Sequence, residues 1–458
     1  MGEKIYGFSE CIHQCGFHNL PEGLEKYYDL YEDRFQKEKM DNDLIKDGHQ
    51  REKTDNDLIK EDSQREIIDK NFLKDCFLRF NVPEAKIKQM ENALVEIEEN
   101  AVLCYFTKFL IWDMCQAKKR YEDNDYNNLV PECLHKYKEY YPFILLLACV
   151  KPSMKMLQNR GVPLKYYEEI PYTPMKKQFE KWVLQEDITV SDFPWDINFY
   201  TCSIFLMDRF YFIPCKLEEE ISVYRNNINN QVMAFQHANT AFRRDGQFNG
   251  TNGVNDDQGK FLTKWEEDDL SIRANAINPM GYVEQLPVVL QKSDWTLALT
   301  KGDLLLAFHI PDGPGYTPQR VRNSMELALE FYAAYFSELN IKGFWSESWL
   351  YDSRLSLVMD YEKSNIVKVQ SQFYRYPIKT SDRMLLERVF GDKEIDLSKV
   401  IATSTLQQAI ISYMNTGARF NTLSMFVLRA EVAHIGDCPY LKQDDIERFR
   451  KVVDSHIA

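Results

Sequence analysis

The stretch between residues 304 and 349 constrains the fold most. Leu304–Ile310 is a continuous apolar run of strand length, Pro318–Phe336 reads as a long helix, and Gly343–Trp349 is strand-like again. Two strands joined by so long a connection lie parallel, since a hairpin cannot span it, and the crossover between them is right-handed. Ser353–Asp360, Ser381–Phe390 and Thr405–Met414 read as further helices and Leu423–Leu428 as a last strand.

The chain before this region has a different period. Apolar residues recur at helical spacing in Phe72, Cys76 and Phe80, then in Leu94, Ile97, Leu103, Phe106 and Leu110, and Pro83 fits a helix start. Tyr140–Val150 is the most apolar segment, carries Pro142 and falls well short of the ~20 residues needed to cross a bilayer, so it is expected as a buried helix with no membrane partner. Gly161-Val162-Pro163 punctuates the pattern before an amphipathic helix at Tyr172–Leu184. The period then shortens: Phe205–Phe212, Ile221–Arg225 and Val232–Phe235 form a predicted antiparallel meander. The Gly-, Asn- and Asp-rich run over 245–259 sustains neither periodicity and is expected as a boundary or a mobile lid. The fold class is α+β / α/β. Its expected divisions are an acidic helical extension over 1–66, a mainly helical domain over 67–244 that ends in the meander, a linker or lid over 245–262, a mixed-sheet domain over 263–436 and a helical tail over 437–458.

Within the extension, Asp41-Asn42-Asp43-Leu44-Ile45-Lys46 recurs as Asp55-Asn56-Asp57-Leu58-Ile59-Lys60. Two copies are too few for a solenoid and fit a solvated charged segment. The net charge of −14 repels phosphate backbones and argues against nucleic acid as a partner. Met1–Tyr6 lacks the basic start and apolar run of a secretory leader, and ten cysteines are scattered rather than clustered, so reduced thiols and a cytoplasmic location are expected. Cys11, His13, Cys15 and His18 match none of the common zinc spacings, and no metal is expected. Gly-Lys-Ser, His-Glu-x-x-His and Gly-x-Ser-x-Gly motifs are missing from the sequence, which disfavours nucleotide hydrolysis, zinc proteolysis and serine hydrolysis.

Candidate chemistry gathers where the first strand of the crossover meets its helix. In His309-Ile310-Pro311-Asp312-Gly313-Pro314-Gly315-Tyr316-Thr317-Pro318, Thr317 can cap the helix and Pro318 suits its first position. Two glycines let backbone approach a ligand, and the amides at a helix start suit an anion such as pyrophosphate, although any strand-to-helix turn can use Gly and Pro for geometry alone. His309 stands at the strand end, where open α/β sheets place ligands, and a neutral imidazole can serve as general base. In the second strand, alternation puts Ser346 and Ser348 on one face and Glu347 on the other. Ser348 can donate to a substrate carbonyl, Tyr351 can protonate a leaving thiolate, and Ser364 reads as a helix cap.

Trp295, Gly302-Asp303, His309-Ile310-Pro311, Ser348-Trp349-Leu350 and Ser364-Asn365-Ile366 together resemble the GNAT-like C-terminal domain of bacterial acyltransferase-like proteins. The helical half, with Gly161-Val162-Pro163, Trp195 and Arg209-Phe210, resembles the N-acyltransferase N-terminal domain that accompanies it. The resemblance implies a helical N-terminal domain followed by a GNAT-like mixed β-sheet flanked by helices. It implies transfer of an acyl group from acyl-CoA or acetyl-CoA to a small-molecule or peptide amine. The cofactor pyrophosphate would lie at Gly313, Gly315, Tyr316, Thr317 and Arg320, with His309 or Glu347 as base, Tyr351 as acid and Ser348 as donor. In GNAT enzymes a Gln or Arg precedes the loop glycines; here Ile310 fills that place, and Pro314 has no amide N–H to offer. A non-catalytic protein binding a metabolite or another protein in the same cleft is the second reading.

Overall fold

The computed structural model describes residues 6–33, 66–120 and 126–457, and both copies of the duplicated motif lie outside them. The chain forms two compact units that divide between residues 205 and 206.

The first unit is helical. Phe8–Cys15, Lys70–Arg79, Glu84–Glu99, Ala101–Arg120, Tyr141–Asn159, Tyr172–Gln185 and Phe193–Tyr200 are its main helices. Local chemistry sets their ends: Asp69 accepts from the Phe72 amide at 2.7 Å, Asp192 from that of Trp195 at 3.3 Å, and Pro83 precedes Glu84. Tyr141–Val150 is buried on every side, as its uniform hydrophobicity predicts for a central helix. Phe106, Phe109 and Leu110 of the neighbouring helix are sealed in the same core, each buried side chain contributing about 1.5–3 kcal/mol.

The second unit is built on sheets. Its strands are β1 Phe205–Met207, β2 Phe210–Lys216, β3 Ile221–Asn226, β4 Val232–Gln236, β5 Ala241–Phe242, β6 Phe261–Leu262, β7 Trp265–Glu267 and β8 Ser271–Asn278. They continue as β9 Tyr282–Val283, β10 Val288–Gln291, β11 Trp295–Thr300, β12 Leu304–His309, β13 Gly343–Ser348, β14 Tyr374–Pro377 and β15 Leu423–Leu428. Six of them run in the order β1-β2-β12-β13-β15-β14, with β12 and β13 parallel and β2, β15 and β14 antiparallel to their neighbours. A second sheet runs β10-β8-β4-β3-β11, with β7 and β9 also on β8. Ile221, Val223, Ala234 and Leu299 of that sheet share a core with Leu305, Tyr374, Tyr376 and Phe426 of the first. On the other face of the six-stranded sheet lies the helix Pro318–Tyr335, whose Tyr332 hydroxyl donates to the Phe212 carbonyl.

Three sequence expectations change. Phe205–Phe212 is two strands, because Asp208 takes φ +54° and turns the chain between β1 and β2. The meander expected at the end of the helical half belongs to the second unit, since β2 pairs with β12 along its whole length, from Leu304↔Lys216 to His309↔Tyr211. The stretch over 245–262, expected as a linker or lid, is pinned inside the second unit. The Arg243 guanidinium grips Asp245 through two bonds of 3.1 and 2.9 Å, Gln247 donates to the Gly281 carbonyl at 2.7 Å and Asn252 to that of Phe420 at 2.7 Å. Gly246 has φ +71°, and a Cβ there would strike the Val283 carbonyl oxygen at 2.5 Å, so the loop needs glycine at that point.

Candidate functional site

β12 and β13 pair only at Leu306↔Phe344 and Ala307↔Trp345. Beyond these pairs both strands run on, β12 held by β2 as far as His309 and β13 held by β15 as far as Ser348. Past Ala307↔Trp345 the two strands are no longer paired with each other, so the parallel ladder ends short of their C-terminal ends. The loop 310–317 follows β12 and leads into the helix Pro318–Tyr335, where Thr317 accepts from the Arg320 amide at 3.4 Å and Pro318 occupies the first turn.

The loop is oriented by a residue distant in sequence. Arg209, in the β1–β2 turn, donates to the carbonyls of Pro311 at 2.6 Å, Gly313 at 3.0 Å and Pro314 at 2.8 Å. With three carbonyls committed to one guanidinium, the peptide planes turn their N–H groups elsewhere. Among the described residues no acceptor engages the amides of Gly313, Gly315 and Tyr316. Gly313 and Gly315 sit at φ +107° and +98°, where a side chain is strained. Arg320 lies across Gly315 and is paired with Asp208 through bonds of 3.0 and 2.6 Å, which hold the Asp208 carboxyl below its usual range.

The sheet divides the predicted catalytic residues between its faces. His309 shares a face with Leu305 and Ala307, and Glu347 shares it with Trp345, so these two lie on one face beyond the last β12–β13 pair. His309 is half-buried, and burial pushes its imidazole down to about 4, leaving it neutral at ordinary pH. Glu347 is accessible to solvent within a crowded face: partial desolvation, then the nearby charge of Glu219, raises its carboxyl. Glu219 is fixed by donors from three strands, Trp345 Nε1 at 3.0 Å, the Tyr376 hydroxyl at 3.0 Å and Ser424 Oγ at 3.3 Å.

On the opposite face lie Ser346, Ser348 and Tyr351. Ser348 accepts from the Leu350 amide at 3.2 Å and so starts the turn that carries Tyr351 back under the strand. The Tyr351 hydroxyl donates to Ser346 Oγ at 2.8 Å, and complete burial raises it above the ordinary phenol range. The buried Tyr316 hydroxyl is its neighbour. Ser364 caps Asn365–Gln370, accepting from the Val367 amide at 3.3 Å. Sequence reading missed Glu219 and the roles of Asp208 and Arg209, whose partners lie about a hundred residues away; Arg209-Phe210 stood only among the residues of the family resemblance. In the first unit, Cys11, His13 and Cys15 lie on the helix Phe8–Cys15, and among the described residues no group of three or more His, Cys, Asp or Glu side chains is disposed to hold a metal ion. No helix of the described residues is long and apolar enough to cross a membrane.

No curated protein matches the chain. Among solved structures it is similar to an acyltransferase in complex with decanoyl-CoA and teicoplanin, at 15% identity and a TM-score of 0.46, with 78% of this chain and 87% of that one covered. A crystal structure of an acyltransferase with CoA and 10C-teicoplanin gives 15% identity and a TM-score of 0.47 over the same shares. The model of the GNAT-like C-terminal domain matches residues 178–424, more than half of the chain. The protein belongs to the family that carries a GNAT-like C-terminal domain.

Proposed function

We propose that the second unit is an acyl-CoA-dependent N-acyltransferase working at the C-terminal ends of β12 and β13. The early end of the β12–β13 ladder beside a glycine-rich helix start carries this reading, because unpaired strand ends there would receive an extended thioester arm next to a place for its pyrophosphate. The amides of Gly313, Gly315 and Tyr316 and the side chains of Thr317 and Arg320 would receive the phosphates, with Arg209 holding the loop in register from behind. An amine entering on the His309–Glu347 face would lose its proton to Glu347, whose raised carboxyl suits a base, or to the neutral His309. Its nitrogen would then attack the thioester carbonyl, the C–S bond would break, and Tyr351 on the far face would supply the proton to the departing thiolate, with Ser348 beside the carbonyl oxygen.

A binding protein without turnover is the second reading. It is favoured by Ile310 in place of the usual Gln or Arg, and by the pairing of Arg320 with Asp208 rather than with open solvent.

Thermal-shift titration with CoA, acetyl-CoA and longer acyl-CoAs tests both. A ligand bound to the native state raises the melting temperature, so CoA esters are expected to do so and a pantetheine thioester without pyrophosphate to do so weakly. No shift at saturating CoA ester, in a protein that melts cooperatively, counts against the transferase and leaves the cleft to another metabolite or a protein partner. If binding is seen, amine acylation that falls about 100-fold or more in Glu347→Gln supports the transferase, and binding with no turnover on any amine tried supports the second reading.

A further inference from the structure

The cysteine and histidine residues near the N-terminus are not absorbed by the proposed reaction, and one of them has an unexpected partner. The helix Phe8–Cys15 ends at Gly16, which takes φ +72°. A Cβ built on Gly16 would come within 2.8 Å of Glu132 Cβ and 3.5 Å of the Glu132 amide nitrogen, so the two backbones touch. The residues next to this contact are Cys15 and Cys133, whose thiols are near enough to perturb each other. Both thiols are free, Cys15 is sealed at 0% exposure, and Cys133 is half-buried.

We propose that Cys15 and Cys133 form a redox-active dithiol that closes to a disulfide in the presence of a peroxide. The close approach of Gly16 and Glu132 brings two backbone segments together beside Cys15 and Cys133, as a disulfide between them requires. Exposure assigns the roles: Cys133 meets the oxidant and Cys15 resolves. The Cys133 thiolate attacks one peroxide oxygen, the O–O bond breaks, and sulfenic acid forms as hydroxide leaves. Cys15 sulfur then attacks the sulfenic sulfur, the S–O bond breaks, and water departs with the Cys15 proton. Two thiols lose two electrons, hydrogen peroxide gains them, and two waters result.

The same unit contains an internal control. Cys115 and Cys149 also lie together, with Cys115 Sγ 3.3 Å from Ser153 Oγ and 3.9 Å from the Cys149 carbonyl, but they are 2% and 0% exposed. Among the described residues, Cys133 is the one cysteine of the first unit that is not buried.

The test uses the full chain, treated with hydrogen peroxide while folded, then denatured, alkylated and mapped by peptide mass spectrometry. Two of the ten thiols should escape alkylation, in a single Cys15–Cys133 linked peptide that dithiothreitol releases. Cys133→Ser should leave the remaining thiols fully alkylated after the same treatment, and an unchanged melting curve before treatment shows that the variant is folded. Ten alkylated thiols at a peroxide dose that oxidises an exposed reference thiol would overturn the proposal. So would Cys133 recovered as sulfinic acid with Cys15 still alkylated, or a Cys115–Cys149 link formed first.

Discussion

In the helical unit the side chains sealed from water are overwhelmingly apolar, among them Phe106, Phe109, Leu145 and Phe179. In the sheet unit the sealed set includes Asp245, Asp352, Arg354 and Arg375. Asp352 accepts from the Asn421 amide at 2.6 Å and the Arg354 amide at 2.9 Å, and the Arg354 guanidinium lies between Asp352 and Asp245. The contrast follows from what each unit must hold. Helices satisfy their own backbone and need only a greasy stripe to pack. The sheet unit buries irregular segments at 243–254, 352–354 and 421, whose polar groups need partners at fixed distances. Burial by area tolerates exchange of shapes; burial by charge does not.

The largest effect expected is therefore loss of one buried charge. Asp352→Asn keeps the shape but leaves Arg354 short of a countercharge, and should cost the sheet unit roughly 3–5 kcal/mol, the usual penalty for breaking a buried pair. Leu145→Met, at an equally sealed position of the helical unit, should cost less than about 1.5 kcal/mol. Hydrogen exchange read separately for each unit measures both. If the two substitutions cost the same, the contrast between the units is wrong.

Acid should separate the units next, with opposite signs. The His309 imidazole is pushed from an ordinary 6.5 to about 4, so between those values the unfolded chain binds more protons than the folded one. Its contribution is present in full above pH 6.5 and lost as pH falls toward 4, amounting to roughly 3 kcal/mol in the sheet unit. Asp196 in the helical unit is raised to about 6 by burial and then by Asp192. The folded chain there binds more protons, so its contribution grows as pH falls through 6 and is lost as pH rises through it. Urea unfolding at pH 7 and pH 4.5 checks the pair, and His309→Gln should flatten the acid loss of the sheet unit alone.

How much of this was legible in the sequence depends on the range of each interaction. The crossover of β12, Pro318–Tyr335 and β13 was readable because apolar runs, Thr317 and Pro318 are local signals. So were Ser364 as a cap, the buried helix at Tyr141–Val150 and the alternation that sets Glu347 against Ser346 and Ser348. The strands between 261 and 300 were not, because several are short edges: β7 is Trp265-Glu266-Glu267, with both glutamates exposed and no apolar alternation. The Asp208 turn was hidden inside an aromatic run that reads as one strand. Arg209 and Glu219 carry no local mark at all, since the carbonyls and hydroxyls that define their roles come from segments 102 to 205 residues further along the chain.

A smaller effect is expected at the loop clamp. Arg209→Ala removes three charge-assisted bonds to loop carbonyls without removing a phosphate contact. If the clamp orients the amides, affinity for a CoA ester should fall about 10-fold with little change in stability, and Arg209→Lys should recover only part of it because an ammonium lacks the planar fork. Equilibrium binding of the two variants separates this from a purely structural role, which would lower the melting temperature instead.

The finest distinction lies within the loop, between its two glycines. A Cβ on Gly313 would have only Arg209 Nη2 nearby, at 3.9 Å, whereas one on Gly315 would press on Arg320 Nη1 at 2.8 Å. Both positions have positive φ, so each Gly→Ala change carries a backbone cost of about 1–2 kcal/mol. Gly313→Ala should show that cost and little else. Gly315→Ala should also push Arg320 off Asp208, a pair that is partly exposed and worth less than about 1 kcal/mol to stability. The two variants should then melt within a few degrees of each other and differ mainly in ligand affinity, with Gly315→Ala the weaker binder. Equal affinities would mean that Arg320 is no part of the anion site and that its place across Gly315 serves the fold alone.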